Sequence, residues 1–411
     1  MSIDRNSSLE ILPVEILHRI FDNLDAQTIL FSLRNTCRQL YAITKSYERY
    51  SLDCQSISKS DFDRLSRLID ARNVISLKLS NDDYTFNQIE IFLTQFNIHE
   101  FSRLRSLILI EIEEEYLEPI LENINIHSLI SFSLSVKKLE DQYRKKTAEL
   151  LTSLVTQTNL LKLEVKTIYA RLEEIVWPNQ STIRHLKIDQ LITIDEICQI
   201  LQSLPNLRIL VIGHLYESAS HQINLVRLSA PFRQVISLTV EYMCISIDDL
   251  ELFLSLMPSL TYLKLISTQT DGHGNRWEQY IQTNLPFLTN FEFYFYIQFD
   301  YQNNVSDNES IITSYQTPFW INHKKWFVAC EYSIDAPNSI NVFSIPICLS
   351  SLTYIAESNK VLLSTFPTLL NNDVFIMDNI TKLQLTISQS TVTNAEQQEM
   401  QINLSALVFF Q

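Results

Sequence analysis

Two groups of polar residues have a composition that could support catalysis or metal binding. Four glutamates fall within five positions, where paired carboxylates could exchange protons with a substrate. They are Glu111, Glu113, Glu114 and Glu115. Residues 271–275 form a polar turn, Asp-Gly-His-Gly-Asn, with side chains able to bind a metal ion. Nothing nearby singles out one reactive residue, so we interpret the glutamates as a solvated face and the turn as a loop of ordinary composition.

The other reactive residue types are dispersed along the chain. The six cysteines include no Cys-x-x-Cys pair, and the eight histidines have no second ligand at metal-binding spacing. Only three glycines occur, which excludes the glycine-rich loops that bind phosphate. We therefore predict no catalytic residue, no metal and no cofactor. An enzyme whose active site assembles around Asp271, His273 or residues 320–326 is the rival interpretation.

Composition sets further bounds. The 411 residues are 46% hydrophobic and 19% charged, as in folded proteins, and the formal net charge of -15 disfavours binding to nucleic acid or to anionic membranes. Scattered cysteines fit a reducing compartment. The first residues lack a secretory signal, and no apolar run reaches the length of a membrane span. The expected location is cytoplasmic or nuclear, without membrane contact.

The densest apolar pattern occupies residues 9–40, which predict three short amphipathic helices. Pro13 suits the first helical position. The residues that then follow at helical spacing form one apolar stripe. They are Leu12, Ile16, Leu17, Ile20, Phe21 and Leu24. Asp25 is expected to cap the second helix, and Asn35 or Thr36 the third. A segment this small must bury its stripe either on the rest of its own chain, as the first hairpin of a larger core, or on another protein.

Several of these residues resemble the F-box family. The resemblance lies in Leu-Pro-Val-Glu-Ile-Leu at 12–17, Ile-Phe at 20–21, Leu-Asp at 24–25, Ile-Leu-Phe-Ser-Leu at 29–33 and Cys-Arg-Gln-Leu at 37–40. Leu40 stands where family members often have tryptophan, and Thr36 where valine is common. The resemblance implies a three-helix domain at 8–50 that binds a Skp-family adaptor and, through it, a cullin–RING ubiquitin ligase. The adaptor contacts that we predict are the six stripe residues together with Pro13 and, at the rim, Glu15.

A second pattern, apolar-x-x-apolar-x-apolar, returns nine times between residues 74 and 293, at steps of 23 to 31 residues. Helical spacing of apolar residues fills several of the intervals, and Pro205, Pro258 and Pro286 each stand between a helix and the next strand. The pattern resembles the irregular leucine-rich repeats often found behind an F-box. It predicts an α/β fold in which parallel strands form a curved solenoid at 51–295. An ordinary parallel α/β sheet is the alternative.

Residues between the buried strand positions are expected on the concave face of such a solenoid. We predict five of them as substrate contacts, four of which form a modest basic stripe. They are Lys162, His185, Lys187, Tyr262 and Lys264. The stripe suits an acidic or phosphorylated peptide. The simpler interpretation is a set of solvated side chains on an open sheet face.

Residues 296–411 depart from the repeating apolar pattern and contain aromatic and β-branched runs, and we predict an aromatic β-rich insertion or cap there. Strands are expected near residues 318–321, 326–328 and 342–345, with repeat-like segments resuming at 349–354, 380–385 and 404–409. Trp320, Trp326 and Tyr332 are interpreted as capping residues, with ligand anchors as the alternative.

Taken together, the residues and the two resemblances predict a non-catalytic substrate receptor of an SCF-type ligase. Its partners would be a Skp-family adaptor, a cullin bound through it, and a protein substrate that the sequence does not identify. A binding scaffold that uses the same array without a ligase is the alternative.

Overall fold

The computed structural model describes residues 9, 11–55, 57–81, 87–137, 144–166, 174–217, 231–267, 272–299, 305–334, 338–356, 360–366, 379–380, 382–387 and 398–403. The chain divides into two compact units. The first lies within residues 1–190 and 202–207, and the second within residues 191–201 and 208–411.

The first unit begins with three helical segments, of which the second consists of two consecutive short turns. Helix α1 (Val14–Phe21) is followed by two short helical turns (Thr28–Ser32 and Leu33–Asn35) and by helix α2 (Arg38–Ser46). Strands and helices then alternate in the order β1 (Tyr50–Asp53), α3 (Lys59–Leu68), β2 (Val74–Ser80), α4 (Gln88–Gln95), β3 (Ser106–Ile112), α5 (Glu114–Asn123), β4 (Ser131–Val136), α6 (Arg144–Val155), β5 (Lys162–Lys166) and β6 (His185–Thr193). Each strand pairs in parallel with the next.

The register of these strands places like residues in rows across the sheet. One row contains Leu52, Leu77, Leu107, Phe132, Leu163 and Leu186, and all six side chains are fully buried. A second row contains Leu79, Leu109, Leu134, Val165 and Ile188. Because each strand covers the edge of the one before it, the apolar rows form a continuous core.

The starts of β4, β5 and β6 show the same hydrogen-bond junction. The carbonyl of Arg105 accepts the amides of both Ile130 and Ser131, at 2.7 and 3.0 Å. One strand later, the carbonyl of Ile130 accepts from Leu161 and Lys162 in the same way. The junction recurs from unit to unit, so the repetition predicted from the sequence extends to backbone geometry.

The second unit contains helix α7 (Ile194–Ser203) up to residue 201, and then an array of the same kind. Its elements are β7 (Ile209–Tyr216), β8 (Ser237–Cys244), α8 (Ile247–Ser255), β9 (Tyr262–Ser267), α9 (Gly274–Asn284) and β10 (Asn290–Gln298). Strands β7 to β10 are parallel. The double junction recurs at the carbonyls of Arg208, Ile236 and Thr261.

The regular succession of parallel strands ends at β10. After helix α10 (Val305–Ser314) and a helical turn (Phe319–Lys324) come β11 (Val328–Ser333), β12 (Ser339–Ser344), β13 (Ser351–Ala356), β14 (Lys360–Ser364), β15 (Lys382–Ile387) and β16 (Gln398–Asn403). Strand β12 pairs antiparallel with β10 and with β11, and β14 pairs antiparallel with β11. Strands β13 and β15 are parallel, and β16 is antiparallel to β15.

Most of the predicted elements are present. All nine repeat strands form, and α7, α8 and α9 each end before the proline that was expected to stop them. One prediction was wrong: residues 318–321 do not form a strand. They open the helical turn Phe319–Lys324, because Trp320 fits fully buried into a core that an extended chain would not fill. The repeat-like segment predicted at 404–409 lies outside the described residues.

Candidate functional site

Helix α1 begins directly after Pro13, whose carbonyl accepts the amides of Ile16 and Leu17 at 3.0 and 3.1 Å. Pro13 itself precedes the helix rather than occupying its first position, which still spares an unpaired amide at the helix start. Glu15 is exposed in the first turn, where its negative charge complements the helix dipole.

The apolar stripe of α1 is divided between two environments. Leu17 and Phe21 are each 1% exposed. The ring of Phe21 contacts Tyr47, just beyond α2, edge to face at 5.4 Å, and Tyr47 contacts Tyr50 in the same manner at 5.0 Å. These two stripe residues therefore form the core of the helical domain. The prediction that Leu17 and Phe21 touch the adaptor directly is corrected, because their side chains have no surface to offer.

The rest of the stripe remains accessible. Ile16 is 39% exposed, and Leu12, Ile20 and Leu24 are partly buried. Val14 was not predicted as a contact, yet it is 42% exposed. Large apolar side chains left in water on a short helix indicate a docking surface. The sequence stripe could not show this division, because helical spacing alone does not reveal which half faces a neighbour.

A polar contact joins the end of α1 to the end of α2. Asp22 accepts two hydrogen bonds from the Arg49 guanidinium, at 2.8 and 3.0 Å, and a third from the Tyr47 hydroxyl at 2.9 Å. The hydrogen bonds from Arg49 are the largest cause that holds the pKa of Asp22 below its ordinary value. We call these three residues the Asp22 latch.

The second and third segments are capped by different chemistry. Asp25 caps the second as predicted, since its carboxylate accepts the amide and the hydroxyl of Thr28 at 2.7 and 2.8 Å. Neither Asn35 nor Thr36 caps α2. Instead Cys37 is the capping residue, and its sulfur accepts the amide of Leu40 at 3.4 Å. Leu40, in the position where tryptophan is frequent, is buried.

In the first unit, three predicted substrate contacts lie on neighbouring strands. Lys162 is paired in register with His185, and all three, including Lys187, are half-buried. Lys162 forms an ion pair with Glu164 at 2.8 Å, which reduces the positive charge of the stripe. Burial and the charge of Lys162 lower the pKa of His185 below its ordinary value, so this imidazole favours the neutral form.

In the second unit, the two remaining predicted contacts form internal bonds. The hydroxyl of Tyr262 donates to Glu292 at 2.9 Å, and the ammonium of Lys264 donates to the carbonyl of Cys348 at 2.5 Å. Cys348 belongs to the segment after β12. Glu292 of β10 thus engages Tyr262, and the segment after β12 engages Lys264, while their role as substrate contacts stays a prediction. Of the four residues predicted as a basic stripe, Lys162, His185 and Lys187 lie on the paired strands β5 and β6.

The groups considered for catalysis have structural roles where the structure describes them. Ser135 donates to Glu111 at 2.9 Å, and Thr147 donates to Glu114 at 2.6 Å, so the four glutamates do not converge. The described residues contain no group of three His, Cys, Asp or Glu side chains placed to hold a metal ion. Burial raises the pKa of the Cys198 thiol to about 12, which suppresses the reactive thiolate.

The aromatic region considered for an enzyme site is packed. Trp320 is fully buried and contacts Tyr315, Phe319 and Trp326 at ring distances of 4.8 to 5.9 Å. His273 immediately precedes α9, and Asp271 lies outside the described residues. These rings fill a core.

Sequence reasoning missed one cleft of about 510 Å³ in the first unit. Arg34, Tyr41, Arg64 and Arg67 line it. The four residues are separated by up to 33 positions, and no spacing rule connects them. The aromatic residues near these arginines in the sequence could have indicated the cleft, since arginines stack on exposed aromatic rings.

Comparison with known proteins identifies one domain. A family model described as F-box-like matches residues 9–50, the segment that contains α1, α2 and the Asp22 latch. No curated protein matches the chain. Across the described residues, every helix is too short or too polar to cross a membrane.

Proposed function

We propose that this chain is the non-catalytic substrate receptor of an SCF-type ubiquitin ligase. In this proposal the F-box-like domain binds a Skp-family adaptor, and the adaptor connects the chain to a cullin. The strand and helix array holds a protein substrate, with Lys162, His185 and Lys187 as contacts on the first unit. Such a receptor would work in the cytoplasm or the nucleus.

The observation that carries the proposal is the exposed apolar face of α1 within a segment that matches an F-box-like model. The adaptor would cover Leu12, Val14, Ile16, Ile20 and Leu24, with Pro13 and Glu15 at the edge. Leu17 and Phe21 would act from the core, by holding α1 in place. Burial of large apolar side chains contributes about 1.5–3 kcal/mol each when complete, so a few half-exposed residues suffice for a specific contact.

The test compares two pairs of exposed apolar residues. In the first variant Val14→Ser is combined with Ile16→Ser. In the matched control, Leu252→Ser is combined with Phe287→Ser, which are also exposed but lie in the second unit. Both are titrated with a purified Skp-family adaptor by calorimetry.

We expect the first variant to bind about tenfold more weakly or worse, because two apolar contacts are lost. The control should bind like the unmodified chain. Equal affinities for both variants, or an unmodified chain that does not bind the adaptor, would overturn the proposal. An adaptor complex that fails to recruit a cullin would favour a scaffold without ligase function.

A further inference from the structure

The cleft in the first unit lies where the F-box-like domain meets helix α3. Leu30, Arg34 and Tyr41 of the domain line one part of it, and Arg64, Arg67 and Leu68 of α3 line another. The two leucines give the cleft an apolar portion, and the three arginines make its lining cationic. None of residues 12–24 contributes to it, so the cleft is distinct from the α1 face proposed for the adaptor.

Aromatic rings hold the cations in place. The guanidinium of Arg34 lies 4.9 Å from the centre of the Tyr41 ring, and the Lys45 ammonium lies 4.8 Å from the same ring. The guanidinium of Arg64 lies 4.5 Å from the centre of Phe31. Stacking of this kind orders an arginine side chain, and the donors that Arg34 does not give to the Tyr41 hydroxyl remain able to bind an anion.

The charges of the cleft are not balanced by ion pairs. Elsewhere in the described residues, Arg49, Arg72 and Arg103 each contact a carboxylate at 2.6 to 2.8 Å. Within the same described ranges, Arg34, Arg64 and Arg67 have no carboxylate oxygen within 4 Å. Asp63 also lines the cleft, but it accepts a hydrogen bond from the Gln95 side chain.

We propose that this cleft binds an acidic segment of a partner protein, in which several carboxylates meet Arg34, Arg64 and Arg67 while an apolar side chain contacts Leu68. The inference does not depend on the proposed ligase function.

The distribution of charge favours carboxylates over a single phosphate. Arg34 is tied to Tyr41, Arg64 to Phe31, and Arg67 stands one helical turn beyond Arg64, so the cations are spread over the lining. A carboxylate-rich segment spreads its charge in the same way, and each carboxylate suits the planar fork of a guanidinium.

The experiment measures fluorescence anisotropy of a labelled peptide of eight glutamates with the full chain, in the absence of adaptor. The test variant combines Arg34→Glu, Arg64→Glu and Arg67→Glu. The matched control combines Arg105→Glu, Arg184→Glu and Arg233→Glu, three exposed arginines outside the cleft, and therefore has the same net charge. If the melting temperature of the test variant is lower than that of the unmodified chain, the double variant Arg64→Glu with Arg67→Glu is used instead. Both side chains are exposed on α3, so their replacement should disturb the fold less.

We expect the test variant to lose affinity by about tenfold or more, because charge-assisted hydrogen bonds are replaced by repulsion. The control should stay within about twofold of the unmodified chain, since long-range repulsion is screened. Similar affinities for the two variants would overturn the proposal, as would no binding by the unmodified chain. Tighter binding of an eight-nucleotide RNA, or of a peptide with one phosphoserine among neutral residues, would overturn it in favour of that ligand.

The adaptor titration described under Proposed function separates the two proposals. If the chain binds the acidic peptide but not the adaptor, the proposal about the cleft stands and the proposed ligase function is rejected. The reverse result retains the ligase function and removes the cleft.

Discussion

Helix α1 and strands β2 to β6 have equally regular apolar patterns, yet they bury them to different extents. In the strands, inward side chains such as Leu107 and Leu163 are fully buried. In α1, Leu17 is buried while Ile16, the adjacent residue, is 39% exposed. The burial differs because each of these strands is packed between adjacent strands of the array. Part of α1, by contrast, is covered by no other element among the described residues. A regular apolar pattern therefore predicts that burial is needed, but not where it occurs.

Helix α1 with its domain and the strands also differ in the contacts that stabilise them. The strands are stacked on continuous apolar rows, whereas the F-box-like domain combines a small buried core with the Asp22 latch. A domain of about 40 residues buries little apolar surface, so a few polar contacts have a larger share in its stability.

The largest effect is expected from Phe132→Ala in β4. Phe132 is fully buried in the row that crosses all six strands of the first unit. Removing its ring should lower the free energy of unfolding by about 3–5 kcal/mol, because it leaves a cavity in a core fixed on both sides. Chemical denaturation monitored by circular dichroism measures this loss.

Ser133→Ala provides the control, since Ser133 points to the opposite face of the same strand. It should change stability by no more than about 0.5 kcal/mol. Equal losses for the two substitutions would contradict the burial difference described for β4.

An intermediate effect is expected from Asp22→Ala. This substitution leaves the hydroxyl of Tyr47, a residue that is itself buried, without its acceptor, and should cost about 1–2 kcal/mol at neutral pH. The pKa of Asp22 is lowered in the folded chain, so its contribution is present above the ordinary value of 3.8 and is lost as pH falls below it.

Glu48→Ala is the matched control for the latch. Glu48 pairs with Arg103 at 2.6 Å but is largely exposed, so its loss should cost less than about 1 kcal/mol. A stability profile of Asp22→Ala that keeps the acid dependence of the unmodified chain would argue against the latch. Thermal melting at several pH values distinguishes the outcomes.

The smallest effect is expected at His185, on the less buried face of the strands. Its pKa lies below the ordinary value of 6.5 in the folded chain, so the unfolded chain takes up a proton first as pH falls. Stability should therefore fall as pH decreases through about 6.5, until the folded pKa is passed. The positive charge of Lys162 adds to the effect of burial, while Glu164 opposes it.

In His185→Gln this component should disappear, so urea midpoints at about pH 7.5 and pH 5.5 should differ less than in the unmodified chain. A Lys187→Gln variant removes only the last-ranked charge that lowers the pKa of His185, so it should retain most of the difference. If His185→Gln and the unmodified chain respond identically, the neutral form of His185 is not favoured by folding.

The sequence predicted regular features well and unique contacts poorly. The nine strands were predictable because each repeats one apolar spacing, and the cap at Asp25 because its chemistry is local. The bond from Lys264 to the Cys348 carbonyl joins residues 84 positions apart, and no local pattern encodes it. Residues 318–321 were misread because aromatic runs suit both a strand and a tightly packed helical turn. The cleft around Arg34 was missed for the same reason as Lys264, since only the folded chain brings α3 to Tyr41.

Tyr50 determines how rigidly a protein bound to α1 would be connected to the first sheet. Tyr50 ends the F-box-like match, donates from its hydroxyl to the Thr44 carbonyl at 2.7 Å, and begins β1, where it pairs with Val74. The domain thus enters the first sheet without a spacer. A protein held on α1 would move as one body with the strands of the first unit, so the reach of an attached enzyme would be set by fixed geometry and not by the wandering of a flexible tether.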